Sequence, residues 1–326
     1  MSTYSTHTIK YAVVVVLSIL TSGLWLSQVA QAQIVVEQLP NKDVYGDFVV
    51  GPGKQELIMQ PGETRRVNIK VSNRIGEDRR FLVGIEDFTG STDPNQTVLL
   101  MGSERGPYSL RDYIFPEVFD VMIEHGTRAV IPVVVSIPED AEPGGRFGSV
   151  LVSTETSEVE GEGGVTSGAA LVSRIGVLFF VRVTGDVVEE GELTGFTTLD
   201  NRRVFTASPV SFALEYKNTG SVHVNPYGVI EIKNLLGDVV GVEELEPWFA
   251  LPGSVRVRQV EWGRPLLLGR YTATAQINRG YQDIVDTREV VFWILPAKPI
   301  LIVIGIILFI LLLVRFIFSK VEIRLK

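Results

Sequence analysis

Apolar residues recur at every second position in short runs along most of this chain. Val67, Ile69 and Val71 alternate with Arg66, Asn68, Lys70 and Ser72. Phe81, Val83 and Ile85 repeat the pattern, as do Phe119, Val121 and Ile123, and then Ile131, Val133, Val135 and Ile137. Val150, Val152 and the run 177–183 complete a first set. A period of two rich in β-branched residues predicts strands with one buried face. Pro61-Gly62, residues 73–76 and Pro143-Gly144-Gly145 supply turns between them. A second set contains Phe212, Leu214 and Tyr216, then Ile230 and Ile232, then Tyr271, Ala273, Ala275 and Ile277, and a last strand that stops at Pro296. The acidic, glycine-flanked stretch 185–195 separates the sets. The expected fold is all-β: two tandem immunoglobulin-like β-sandwich domains, at 33–185 and 186–297.

The alternation is lost at both ends of the chain. Residues 300–318, with Ile300 and Phe318 as their limits, are apolar except for Arg315. At about 1.5 Å per residue they make a helix of about 28 Å, close to the ~30 Å hydrocarbon core of a bilayer. A helix is one of the few ways to satisfy every backbone polar group in lipid. A transmembrane helix is expected at 298–320 with a short tail at 321–326, and the basic excess after it places the C-terminus in the cytoplasm. At the other end, Lys10, an apolar run and Ala30-Gln31-Ala32 have the anatomy of a secretory signal peptide at 1–32, cleaved between Ala32 and Gln33. Together these predict a single-pass type I protein of the plasma membrane with most of the chain outside the cytoplasm.

Between Gln33 and Lys298 the chain carries 25 Lys and Arg against 37 Asp and Glu, a net charge of −12. That argues against nucleic acid and against anionic lipid headgroups as ligands. The absence of cysteine excludes thiolate nucleophiles, thiolate metal sites and disulfides, so the domains depend on their apolar cores. His7 leaves with the signal peptide, and only His125 and His223 remain. His125 reads as a hairpin residue. His223, between Val222 and Val224, reads as a residue on an exposed strand face. Neither has metal-ligand spacing.

Gly-x-Ser-x-Gly, phosphate-loop and dinucleotide motifs are missing. Glu155, Glu158, Glu160 and Glu162 lack the spacing of a calcium loop and read as solvated charge. Glu86 and Asp87 point to opposite faces of a strand, which is poor geometry for a glycosidase pair. The arginine pairs Arg65-Arg66, Arg79-Arg80, Arg202-Arg203 and Arg256 with Arg258 read as solvated strand faces that discourage edge pairing, with bidentate carboxylate recognition as the alternative. The long segment 89–116 holds the candidate binding loop: Tyr108, Arg111, Tyr113 and Phe115. Its alternative is a packed flap. Each domain also has a strand that ends in Asn with Gly soon after, Asn73…Gly76 and Asn218…Gly220, while Pro61-Gly62 and Pro252-Gly253 fall in a different order. These phrases read as shared turn chemistry and not as a duplication.

Asp47-Phe48-Val49-Val50-Gly51-Pro52, Gln60-Pro61-Gly62-Glu63, Ser72-Asn73, Ile137-Pro138-Glu139 and Gly144-Gly145-Arg146-Phe147-Gly148 resemble the WxL-interacting surface proteins of Gram-positive bacteria. The resemblance implies a first domain that contacts peptidoglycan or a partner surface protein, and a second that meets outside partners. The expected function is thus a non-catalytic, membrane-anchored surface binding protein without a cofactor. It would engage a cell-wall polymer or another exported protein through domain 1. The alternative is a chaperone-like assembly factor for surface structures that uses an exposed sheet edge.

Overall fold

A computed structural model describes residues 34–93, 95–154, 173–264 and 268–320. The expected signal peptide and its cleavage point, the acidic stretch 155–172 and the tail 321–326 lie outside them. Two β-sandwiches of immunoglobulin type stand in tandem, followed by one apolar helix.

The first sandwich is built from β1 (Val35–Gln38), β2 (Asp47–Gly51), β3 (Lys54–Met59), β4 (Thr64–Arg74), β5 (Arg79–Glu86), β6 (Phe88–Gly90), β7 (Val98–Leu100), β8 (Ile114–Pro116), β9 (Asp120–Ile123), β10 (Thr127–Ser136), β11 (Gly144–Thr154) and β12 (Arg174–Val183). One sheet has the order β1-β10-β4-β2, with β8 also on β10; the other runs β3-β12-β11-β5-β9. The chain changes sheets at Gly51-Pro52-Gly53, so that β3 pairs parallel with β12. Period two does what it predicts. Ile69 and Val71 on β4, Ile131, Val133 and Val135 on β10 and Val177, Phe179 and Val181 on β12 all point inward and are fully buried.

The second sandwich contains β13 (Gly191–Thr198), β14 (Val204–Phe205), β15 (Val210–Asn218), β16 (Tyr227–Asn234), β17 (Val239–Leu245), β18 (Val255–Trp262), β19 (Gly269–Asn278) and β20 (Val285–Ile294). Its sheets are β13-β15-β18 and β14-β20-β19-β16-β17. Trp262, Phe212 and Phe292 fill its centre. The helix α1 (Ala297–Lys320) begins after two residues that follow β20 and holds an 18-residue window of mean hydropathy 3.2, long and apolar enough to cross a membrane.

The two asparagines noted in the sequence perform the same task in the two domains. Asn73 closes β4, its Nδ2 donating to the carbonyls of Glu77 and Ile123 at 2.8 Å each while its Oδ1 accepts from the Ile75 N–H. Asn218 closes β15, donating to the carbonyls of Val222 at 2.9 Å and Ala250 at 2.8 Å while accepting from the Gly220 N–H. Each side chain ties its own turn to the approach of a later strand, and each is fully buried. The Pro-Gly turns, by contrast, occupy unlike places: Pro61-Gly62 precedes β4, and Pro252-Gly253 precedes β18.

Candidate functional site

The β9 edge of the β3-β12-β11-β5-β9 sheet exposes large apolar side chains of the first domain. Among the described residues β9 pairs with β5 alone. Arg80 lies opposite Met122 and Leu82 opposite Asp120. Leu82 and Met122 are therefore diagonal neighbours on one face. Met122 is 62% exposed and Phe119, just before β9, is 57% exposed. Phe115, on β8 four residues earlier, is exposed as well. The Arg80–Asp120 ion pair crosses the other diagonal, and Arg66 holds Glu117 with Nε–Oε1 at 2.6 Å. Both carboxylates sit below their ordinary values because a guanidinium hydrogen-bonds each. The opposite edge, β3, carries the Lys54–Glu56 ion pair and a single large exposed apolar residue, Ile58. Charge on an edge discourages pairing and exposed apolar residues invite it; both edges carry an ion pair, and β9 adds Met122 with Phe119 just before it.

The four residues of the candidate loop go to different places. Phe115, on β8, lies opposite Val134 of β10 and is exposed on the outer face of the other sheet, away from β9. Tyr113 packs against the core of the first sandwich. Arg111 donates to the carbonyls of Gly102 and Ser103, holding the loop from within. Tyr108 turns the other way, its ring edge-on to Phe147 with centroids 6.1 Å apart. Buried Asp87 organises this path by accepting from the N–H groups of Gly106, Leu110 and Arg111. Glu86, its neighbour, faces outward to Arg174. Asp87 gave little sequence signal, since an acid at a strand end reads as solvated.

Tyr108 and Phe147 belong to a joint between the domains. Phe88, Phe147 and Phe180 from the first meet Phe249 and Leu251 from the second. The Gly145 N–H donates to the Ser221 carbonyl at 2.8 Å. Arg256 reaches from β18 to the carbonyls of Asp93 and Gln96 at 3.3 and 3.1 Å, gripping the loop of the β6–β7 hairpin. At Gly90 that hairpin comes so close to Ser254 that a Cβ would overlap it. Arg258 stacks over Trp248 at 5.0 Å and donates to the Glu246 carbonyl. The pair Arg256 and Arg258 is thus not a solvated face: the first domain's hairpin half-buries Arg256.

His223 differs from its sequence reading in the same way. Val222 and Val224 do point into the second domain, so His223 leaves that core, but the first domain covers it. Its ring lies 5.0 Å from Phe180 and 5.9 Å from Phe147, and its side chain is 10% exposed. Nε2 faces Glu56 at 3.6 Å, while the buried Nδ1 has no partner. Burial among these rings holds the imidazole below its ordinary 6.5, against the opposing pull of Glu56. An unfolded chain therefore takes up this proton first. The histidine's contribution to stability is complete above pH 6.5 and is lost as pH falls below that value through the lowered folded pKa. Urea midpoints should thus drop between pH 7.5 and 5.5 by an amount that His223→Phe removes; an unchanged slope in the variant would assign the drop elsewhere. A cleft of about 340 Å³ opens beside His223, lined also by Glu56, Arg182, Glu189 and Asn225. Its charges are matched internally, Arg182 by Glu189 at 2.6 Å and Glu56 by Lys54. Among the described residues no three His, Asp or Glu side chains are grouped as metal ligands would be.

No protein-family model and no curated protein matches this sequence. Solved structures with a similar course of chain include the class 5 fimbriae chaperone CfaA (8% identity, TM-score 0.36, covering 76% of this chain and 99% of that one). The CupB2 chaperone of Pseudomonas aeruginosa (12%, 0.33, 74% and 98%) is another. A third is the CsuC–CsuE chaperone–tip adhesion subunit pre-assembly complex of Acinetobacter baumannii (10%, 0.34, 76% and 98%). At such TM-scores the likeness carries no functional argument.

Proposed function

We propose that this protein is a non-catalytic, membrane-tethered binding protein, with its sandwiches outside the cytoplasm. In this reading it holds an extended segment of another exported protein by strand addition at β9, as an assembly factor holds a client. The supporting observation is the open β9 edge with Phe119 and Met122 exposed along it and Leu82 exposed on the adjoining strand β5. In strand addition the backbone groups supply affinity and alternate side chains supply specificity. A client strand beside β9 would gain main-chain hydrogen bonds and cover Met122 with its own apolar residues. Pairing with β5 and the burial of Val121 and Ile123 hold β9 in place, which lowers the entropic cost of binding.

A photo-cross-linker at Met122, in cells that make the protein, should trap an exported polypeptide. The same group at the exposed hairpin residue Leu236 should not. Met122→Asp should weaken capture at least about tenfold, equivalent to about 1.4 kcal/mol. In the complex, the amides of β9 should exchange more slowly with solvent. If Met122 traps nothing that Leu236 does not, strand addition at this edge is wrong. Retention of the full chain by purified peptidoglycan, undisturbed by Met122→Asp, would favour the wall-polymer reading instead.

A further inference from the structure

The pairing register brings several separate parts of the second domain to the end from which α1 departs. Gly269 pairs with Ile294 and Tyr271 with Phe292, so β19 begins where β20 finishes. Asn234 pairs with Tyr271, which puts the tip of the β16–β17 hairpin at that end. Val204 on β14 pairs with Trp293. Leu268, which leads into β19, lies there too.

Apolar side chains project from this end. Leu236, at the hairpin tip, is 85% exposed, and Leu235, Leu268, Trp293 and Leu295 are exposed with it. The tip is a formed turn: Asn234 Oδ1 accepts from the N–H groups of Leu236 and Asp238 at 2.9 Å each. Two leucines are therefore held out at positions where a soluble hairpin carries polar residues. At the β14 edge of the same sheet, next to β20, lies a cleft of about 700 Å³ lined by Leu199, Arg202, Arg203, Val204 and Phe205, with Asp200 as its one acid.

Only Leu295 and Pro296 separate β20 from α1, and the apolar window starts at Leu301. Two extended residues and one helical turn reach about 13 Å, whereas the headgroup layer on each side is roughly 5–8 Å deep. If α1 spans a membrane, side chains that project from this end meet the headgroups. Tryptophan favours that layer, leucines gain by entering it, and arginines pair with phosphate oxygens. The net charge of the whole exported segment argues against such a contact, but the local balance here is basic.

We propose that the helix-proximal end of the second sandwich docks on the phospholipid bilayer. Leu235, Leu236 and Leu268 enter the headgroup layer, Trp293 lies along it, and the cleft at Arg202 and Arg203 receives a lipid phosphate. This rests on the reading of α1 as a membrane span and adds a second, lateral attachment. Bilayer docking would hold the sandwiches at a fixed tilt, where a bare linker would leave them free to swing.

Because the chain has no cysteine, a single introduced one can carry a fluorophore at a chosen site. The full chain, with Leu236→Cys, Leu268→Cys or, as a distant control, Asp140→Cys, is reconstituted into vesicles of phosphatidylethanolamine and phosphatidylglycerol containing headgroup-nitroxide lipid. Labels at 236 and 268 should be quenched severalfold more than the label at 140. In a Leu235→Ser, Leu236→Ser background the label at 268 should lose most of that quenching. Flotation with the vesicles but equal quenching at all three sites would overturn docking and leave the anchor standing. Quenching at 268 that ignores the serine pair would also overturn it, since the dye would then be inserting itself. Failure to float with vesicles would remove the anchor reading and the docking together.

Discussion

Phe180→Ala is expected to cost about 3–5 kcal/mol and to uncouple the two sandwiches. The ring is fully buried and meets Phe249 at 4.7 Å, His223 at 5.0 Å, Phe88 at 5.4 Å and Phe147 at 5.7 Å between centroids. It sits on the face of β12 opposite Phe179 and Val181, which fill the first domain's own core. Truncation should therefore leave that core intact and empty the joint. Calorimetry of the full chain should show one domain melting ahead of the other in the variant. A single transition at the native midpoint would mean that the aromatic joint does not couple the domains. Since β9 is held by β5 and by the first domain's core, capture through Met122 should persist.

Asn218→Ala should cost about 1–3 kcal/mol, because a buried polar group left without its partner loses about that much. The Val222 carbonyl would lose its partner, while the Ala250 carbonyl keeps the Val224 N–H and the Gly220 N–H keeps the Glu190 carbonyl. Asn73→Ala should behave alike, since the same three-bond pattern recurs there. Asn218→Asp should be no better, as a carboxylate would face two carbonyl oxygens. Urea denaturation measures all three. A loss below about 1 kcal/mol at either site would show that water replaces the side chain, as is expected at the exposed hairpin residue Asn234.

Much of this architecture can be read directly from the order of residues. Period two locates the long strands and their inward faces, because a pleated strand alternates its side chains wherever it lies. The two asparagines were visible as a repeated phrase, and their turns do share one chemistry. The candidate loop was legible only as a place. Tyr108, Tyr113 and Phe115 are equally aromatic in the sequence, yet one enters the domain joint, one the core and one the solvent. Nothing local distinguishes them, because their fates follow from the path that Asp87 imposes. The β9 edge was hidden for a related reason. Met122 and Leu82 occupy the polar phase of their strands, and only sheet order reveals that they adjoin on an open edge.

The sequence by itself determined that this is a β protein without disulfides, ending in a helix apolar enough to span a bilayer. Those properties depend on composition and on periods only a few residues long, which every part of the chain carries with it. The tertiary structure alone decided what covers the outward faces. His223 and Arg256 each leave their own domain's core as the alternation requires, and both are then buried, because a second domain packs on the surface they enter. It also decided that Leu236 stands beside the root of the helix about sixty residues further on, since register between distant strands is set by the packing of the whole sandwich and not by any one segment.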